Sequence, residues 1–306
     1  MSGTAPSLPP LDITRAPAGG DVGPVQSGWR LGLREFARNR LAVIGLGILA
    51  FFVLFSFVGP LIYHQNLVSS DLVLANSAPS GAHLLGTDDQ GIDVLGELMK
   101  GGQASLEIGF LSAIIAIVVG ALYGAVSGLA GGIVDSVLMR VVDVLLSIPF
   151  LFVVLIVAVR YGASVLSLSL ILGVFTWLVP ARLVRGEVLS LKTRDFVSAA
   201  RTAGAGRWRL INRHLLPNAF SVIIVNVTFN IADAILAVAY LGFLGFGLHF
   251  PNYDWGDLLS NGTEYLLDGY WWLIYPAGIC IVATVMACNL IGDALRDALD
   301  VRVRRR

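Results

Sequence analysis

The sequence predicts an all-α integral membrane protein with six transmembrane helices and both termini in the cytoplasm. Composition, the lengths of the apolar runs and the placement of the cations each lead there. Of 306 residues, 56% are apolar and 14% charged, against about 45 to 50% and about 25% in ordinary globular domains. Six apolar runs reach or approach the roughly 20 residues that a hydrocarbon core of about 30 Å demands of a helix. Formal net charge is zero, from 21 Lys plus Arg against 21 Asp plus Glu, so no overall basic field points to nucleic acid.

Residues 1–28 mix Pro, Gly, Ser and Ala with little apolar content. Such a stretch cannot bury enough surface to offset its ordering entropy, and a disordered cytoplasmic tail is expected. Residues 29–103 form an N-terminal unit, a first span over 41–62 followed by an outer loop. That run starts too late, runs too long and lacks the small-residue cleavage pattern of a removed signal peptide. Residues 104–293 carry the other spans, over about 105–129, 137–159, 166–183, 219–241 and 271–291, and residues 294–306 are a basic cytoplasmic C-terminus. Pro149, Pro180 and Pro276 fall in these runs and are expected to bend or loosen them without excluding a crossing.

Orientation follows from the cations, which stay on the cytoplasmic side. Arg15, Arg30, Arg34, Arg38 and Arg40 precede the first span. The loop between spans four and five carries Lys192, Arg194, Arg201, Arg207, Arg209 and Arg213, flanked by Arg182 and Arg185, and the C-terminus carries Arg296, Arg302 and Arg304 to Arg306. Only Lys100 and Arg160 of the 21 cations fall outside, where Asp71, Asp88, Asp89, Asp93, Glu97, Asp254, Asp257, Glu264 and Asp268 gather.

Reactive chemistry is sparse. Cys280 and Cys288 lie in one apolar run, about 12 Å apart along a helix, beyond disulfide reach. His64, His83, His214 and His249 show no ligand spacing, and no G-x-x-x-x-G-K-[ST] loop occurs. No catalytic residue, metal or cofactor is expected in this chain, and it should not hydrolyse ATP by itself.

The loop over 188–217 is too long for a simple connection, and ordered loops of that length tend to be functional. Ala199, Ala200 and Ala203 give a small-residue helix face, Gly204 can end that helix in the left-handed conformation, and Leu210 and Ile211 supply an apolar patch before Pro217. Helix, turn, helix is the expected geometry. The bland alternative is a basic amphipathic segment lying on anionic lipid.

Inside the membrane, Asn226, Asn230 and Asp233 follow i, i+4, i+7 and share one helix face. An ionisable group in hydrocarbon costs a few kcal/mol, so this stripe should avoid lipid. It is either the wall of a substrate path or helix-to-helix hydrogen bonding. Gly120, Gly124 and Gly128 recur every four residues and let another backbone approach closely, a packing device. Arg140 and Asp143, three apart, are expected to pair locally. Outside, Thr87-Asp88-Asp89-Gln90 fits a capping box, with Val94, Leu95, Leu98 and Met99 forming a short amphipathic helix ahead of span two. Tyr253, Trp255, Tyr265, Tyr270, Trp271 and Trp272 fit an interfacial aromatic belt.

Residue order decides between the readings of the loop. Ser198-Ala199-Ala200, then Gly204-Ala205, then Leu216-Pro217 resembles the E-A-A-x-x-x-G…L-P loop of ATP-binding cassette (ABC) importer permeases, whose short helix docks into a cleft on the ATPase subunit. Arg38-Asn39-Arg40-Leu41-Ala42, Leu85-Gly86-Thr87-Asp88-Asp89, Leu138-Met139-Arg140-Val141-Val142-Asp143 with Ile148-Pro149-Phe150, Leu241 to Gly247, Trp255-Gly256 and Asn289 to Asp300 resemble the C-type permeases of dipeptide and oligopeptide importers, over about residues 29–300. Four positions depart from that pattern: Ser198 replaces the acidic residue of the loop motif, Ile92 an arginine and Val301 a proline, and only Pro251 remains of the proline-rich stretch before Trp255.

The resemblance implies a type I ABC importer permease fold. It further implies a homologous second permease of the B type, two ATP-binding subunits that hold ATP and Mg, and an extracytoplasmic solute-binding protein received by the outer helices. Its implied function is one half of a translocation path for dipeptides or oligopeptides in the bacterial cytoplasmic membrane. Nickel chelate, glutathione, haem or a sugar remain alternative cargoes. An ion-coupled secondary transporter using Asp143 or Asp233 as proton carrier is a rival, expected to show inverted repeats and discontinuous helices that the sequence does not display. A non-transporting scaffold is a second rival.

Overall fold

The computed structural model describes residues 35–64, 67–248 and 250–304. The tail expected over 1–28, with Arg15, and also Arg30, Arg34, His249, Arg305 and Arg306, lie outside the described residues. No β-strand occurs among the described residues, and the one extended feature is an isolated bridge between Thr87 and Asp93.

Helix α1 (Arg40–Phe57) is capped by Asn39, whose side chain accepts from the Leu41 and Ala42 amides. It runs beside the last helix, α10 (Tyr275–Arg304), at Gly45, whose missing side chain leaves the Ala287 carbonyl and Leu290 room to approach. Next comes α2 (Val94–Ala130), 37 residues long. At 1.5 Å per residue it measures about 55 Å, far beyond one hydrocarbon core.

The expected short helix ahead of span two does not exist as a separate element, because α2 is continuous from Val94. Nor does Thr87 cap it. Gly91 stands at φ +76, outside the helical region, so no helix begins at residue 88. Asp93 is the cap, accepting from the Gly96 amide at 2.8 Å. Thr87 instead donates to the Leu74 carbonyl and accepts from the Ser77 amide.

Two expected spans are broken. The third consists of α3 (Gly132–Ser147) and α4 (Phe150–Tyr161), bent by 80°. Pro149 forces Ile148 out of the helical region, and Ile148 lies at φ −82, ψ 130. The fourth consists of α5 (Val165–Thr176) and α6 (Leu178–Leu191), bent by 43° just before Pro180. Pro276 behaves differently: it stands in the first turn of α10, where its missing N–H costs nothing, and starts the helix rather than bending it. Four helices are long and apolar enough to cross a bilayer, or six if each bent pair is one crossing.

After α6 come α7 (Asp195–Thr202), a helical stretch over 207–218, α8 (Phe220–Phe243) and α9 (Trp255–Thr263). The bundle therefore has two distinct ends. Residues 67–93 and 250–274 form an acidic end, and the 192–218 segment forms a basic end.

Apolar packing falls into three groups. One joins α1, α2, α8, α9 and α10 around Phe52, Leu98, Ile235 and the fully buried Trp255. The Trp255 indole donates to the Leu98 carbonyl at 2.9 Å and its ring fills the space beside Gly102 of α2. The second group joins α2, α4, α5 and α8. The third, at the basic end, joins α2 and α6 to the 195–218 segment.

Candidate functional site

Two features stand out, a cavity between the broken helices and the segment at the basic end. The cavity has a volume of about 690 Å³. One wall is the α3–α4 break, with Leu145, Leu146, Ile148, Pro149 and Phe150; another is the α5–α6 break, with Phe175, Thr176, Leu178 and Val179. The third wall is α8, which contributes Asn226, Phe229, Asn230 and Asp233. Both breaks therefore open onto one space, where freed backbone groups can be tolerated at membrane depth.

Asn226, Asn230 and Asp233 are brought together on the cavity side of α8. Asn226 donates through Nδ2 to the Val222 carbonyl at 2.8 Å, and Asn230 to the Asn226 carbonyl at 2.9 Å. Each amide is thus steadied by its own helix rather than by a neighbouring one, and its Oδ1 acceptor is not used in that bond. Asp233 is exposed and is the one charged residue among those lining the cavity. Sequence reasoning missed the aromatic and aliphatic lining, Phe150, Phe175 and Phe229 included; only the prolines at 149 and 180 hinted at it.

At the basic end, α7 stops as expected at Gly204. That residue has φ +82, the Ala205 amide donates to the Ala200 carbonyl at 3.0 Å and the Gly204 amide to the Arg201 carbonyl at 2.9 Å. This is a Schellman termination. The second helical stretch contains a π turn over Ile211–Leu215, which ends two residues before Pro217. The proline has no N–H to donate four residues back, so the wider turn fits there.

Val197, Leu210, Ile211 and Leu215 are buried against Ala121, Ala125, Val184 and Val188 of α2 and α6, with Ala200, Ala205 and Leu216 partly covered beside them. Ser198, Ala199, Gly204 and Pro217 are exposed on the opposite side. Ala200 thus turns inward, away from the outer face that Ala199 and Ala203 share. Ser198 falls within α7, where its carbonyl accepts from Thr202 Oγ1 at 3.1 Å.

The glycine stripe faces α6. Gly120 lies against Pro180 and the Trp177 carbonyl, Gly124 against the Ala181 carbonyl, and Gly128 against Val188 and the Arg185 carbonyl. The expected Arg140–Asp143 pair does not form as the closure for Asp143, which is ion-paired instead with Arg182 of α6. Three residues along α3 aligns the two positions only roughly, whereas Arg182 faces Asp143 directly across the helix pair.

At the acidic end, Asp254 is fully buried and accepts from the Gly256 and Asp257 amides at 2.8 and 3.0 Å, capping α9, while its other oxygen accepts from Leu248 at 2.8 Å. Burial raises the Asp88 carboxyl above the ordinary carboxylate range; the amides of Ile92 and Gln90 oppose this and neighbouring Asp89 adds to it. Trp255 and Trp272 are buried in this end rather than placed at its rim, so the expected aromatic belt is at most the exposed remainder, such as Trp271.

Residues 116–305 match the family described as binding-protein-dependent transport system inner membrane component. The chain belongs to that family. Its N-terminal part, residues 27–79, matches the N-terminal transmembrane domain of oligopeptide transport permease C. Over 280 residues the chain is 38% identical to the dipeptide transport system permease protein of Bacillus subtilis (strain 168), covering 92% of this chain and 86% of that one. Over 278 residues it is 39% identical to the oligopeptide transport system permease protein of Escherichia coli (strain K12), covering 90% and 92%. This inner membrane component is therefore an all-helical permease subunit of a transport system, and both cavity and basic-end segment fall within the matched region.

Proposed function

We propose that the chain forms one half of the translocation path of an ABC importer and that its cargo is a dipeptide or oligopeptide. In this reading it makes six crossings, each bent pair counting as one, with the basic end in the cytoplasm, in keeping with the retention of cations on that side. Two ATPase subunits carry out the hydrolysis, with their own ATP and Mg. A homologous B-type permease completes the cavity, and a solute-binding protein delivers cargo to the acidic end. Residues 104–293 are the transport domain and 29–103 its anchor. The chain itself holds no metal or cofactor.

The observation that carries this reading is the two-sided build of the 195–218 segment. Its apolar side is cemented to α2 and α6, while Ser198, Ala199 and Gly204 form a small-residue outer face. Lipid insertion requires the apolar side to face outward; here Val197, Leu210, Ile211 and Leu215 face inward, which leaves Phe196 and Trp208 as the large apolar side chains exposed on the segment. A rigid helix, turn and helix with a shallow outer face suits capture by a cleft on a separate protein. Loss of the acidic residue at position 198 leaves shape and the small-residue face to do the docking.

Asp233, with Asn226 and Asn230, is assigned the contact with a peptide's α-amino group and backbone. The ion-coupled alternative expects discontinuous helices, and two bent pairs are present. What counts against it is that Asp143 is ion-paired with Arg182, and that a structured basic-end segment has no task in such a carrier.

Purification of the tagged chain from its own membranes should recover an ATPase subunit and a second permease. Proteoliposomes with the full complex should accumulate labelled dipeptide or tripeptide only with ATP inside and binding protein outside. Uptake that persists with a disabled ATPase would overturn the assignment. Asp233→Leu should alter cargo range or rate with assembly intact; loss of the complex itself would make these residues structural.

A further inference from the structure

Helix α3 is packed lightly against the rest of the chain. Among its side chains only Asp135 and Val142 are buried, while Ile133 is 84% and Val137 57% exposed. It touches α6 at few places. Apart from Val142, its hold on the rest of the chain is polar. Arg185 donates from Nε and Nη2 to the two oxygens of Asp135, both at 2.6 Å, and Ser127 Oγ donates to the same carboxylate at 2.5 Å. Tyr123 donates to the Leu138 carbonyl at 2.8 Å, and Arg182 pairs with Asp143.

We propose that the Asp135–Arg185 ion pair is the link that passes movement of the 195–218 segment to the cavity wall, with α3 as the moving arm. This rests on the function proposed above. Arg185 stands six residues before the end of α6 at Leu191, and α7 begins at Asp195. Lys192, between them, donates to the Gly128 carbonyl at 2.9 Å. The end of α6 is thus joined to the first turn of α3 and to α2 through polar contacts, and the basic-end segment to α2 and α6 through the apolar packing of Val197, Leu210, Ile211 and Leu215. At the other end of α3, Leu145 and Leu146 line the cavity, about 15 Å from Asp135 at 1.5 Å per residue.

A two-point arginine–carboxylate contact fixes orientation as well as distance. Rotation of α6 therefore turns α3 with it, where apolar surfaces alone would let the two slide. Little apolar burial on α3 resists the turn, and the break at Ile148 and Pro149 gives it a pivot beside the cavity. Asp143 and Arg182, each about half exposed, form a second and looser rung. Asp135 and Arg185 are positioning residues: they need not touch cargo.

The test uses the complete transporter in proteoliposomes, assembled complex only, and reads cargo imported per ATP hydrolysed. Asp135→Ala should lower that ratio about tenfold, the effect of about 1.4 kcal/mol of lost coupling, while hydrolysis is retained. The exchange Asp135→Arg with Arg185→Asp should restore most of the ratio. An unchanged ratio in Asp135→Ala, a proportional fall of import and hydrolysis, or an exchange that stays at the level of the single variant each overturn the proposal. Should Asp135→Ala fail to assemble, Asp135→Asn, which keeps an acceptor for Ser127, is read by the same criteria. Failure of the wild-type complex to import with ATP would instead count against the proposed function.

Discussion

Single positions in this protein are decided by how near a backbone comes. At Gly124 the Ala181 carbonyl leaves no room for a side chain, and overpacking a fixed site costs typically 1–3 kcal/mol or more. Gly124→Leu should therefore lower the unfolding midpoint of the detergent-purified chain, whereas Gly186→Ala, with nothing within 4 Å of the added carbon, should leave it unchanged or slightly raised. The four-residue spacing made that stripe legible, because it needs only helix periodicity. The partner helix was not legible, since nothing in one sequence says which backbone fills the groove. Asp88 gives a pH-dependent prediction. Its folded carboxyl holds the proton more tightly than the unfolded chain does, so folding takes up protons and stability falls as pH rises through the folded value. Asp88→Asn, which retains the acceptor for the Ile92 amide, should flatten that fall in a thermal-melt series just above the ordinary carboxylate range.

At the scale of elements, the breaks matter more than the helices. Pro149 was visible in the sequence as a place of weakness, but a proline alone does not distinguish a gentle kink from an 80° turn. The outcome depends on whether Ile148 stays extended, which packing decides. Pro149→Ala lets that residue return to the helical region; the expected result is a smaller cavity and several-fold slower uptake at normal assembly, measured on the reconstituted complex. Gly204 belongs to the same class. A leucine there must adopt a left-handed conformation that costs roughly 1–2 kcal/mol and adds bulk to the outer face. Gly204→Leu should reduce ATPase co-purification and uncouple hydrolysis from uptake; equal recovery and equal coupling would refute the docking role. Ala200 is the poorer probe, since it turns toward α2 and α6 and its replacement would damage packing first.

For the whole molecule, charge asymmetry and hydropathy were enough to give an all-helical membrane protein, because both act on the entire chain and need no tertiary detail. Contacts between residues far apart in sequence were not readable: Asp135 with Arg185, Asp143 with Arg182 and Trp255 with Leu98 are separated by 50, 39 and 157 positions. Their long separation also says where the fold is sensitive. The length of α2 makes it the common axis, touching α1, α5, α6 and α8 along its course. Adding one residue near its middle would rotate everything beyond by about 100°, since a turn takes 3.6 residues. The groove for α6 and the seat of Trp255 could not then both remain in register. Insertions in this helix should be tolerated at neither end's expense alone, and a scan of single-codon insertions should find there the longest forbidden interval in the chain.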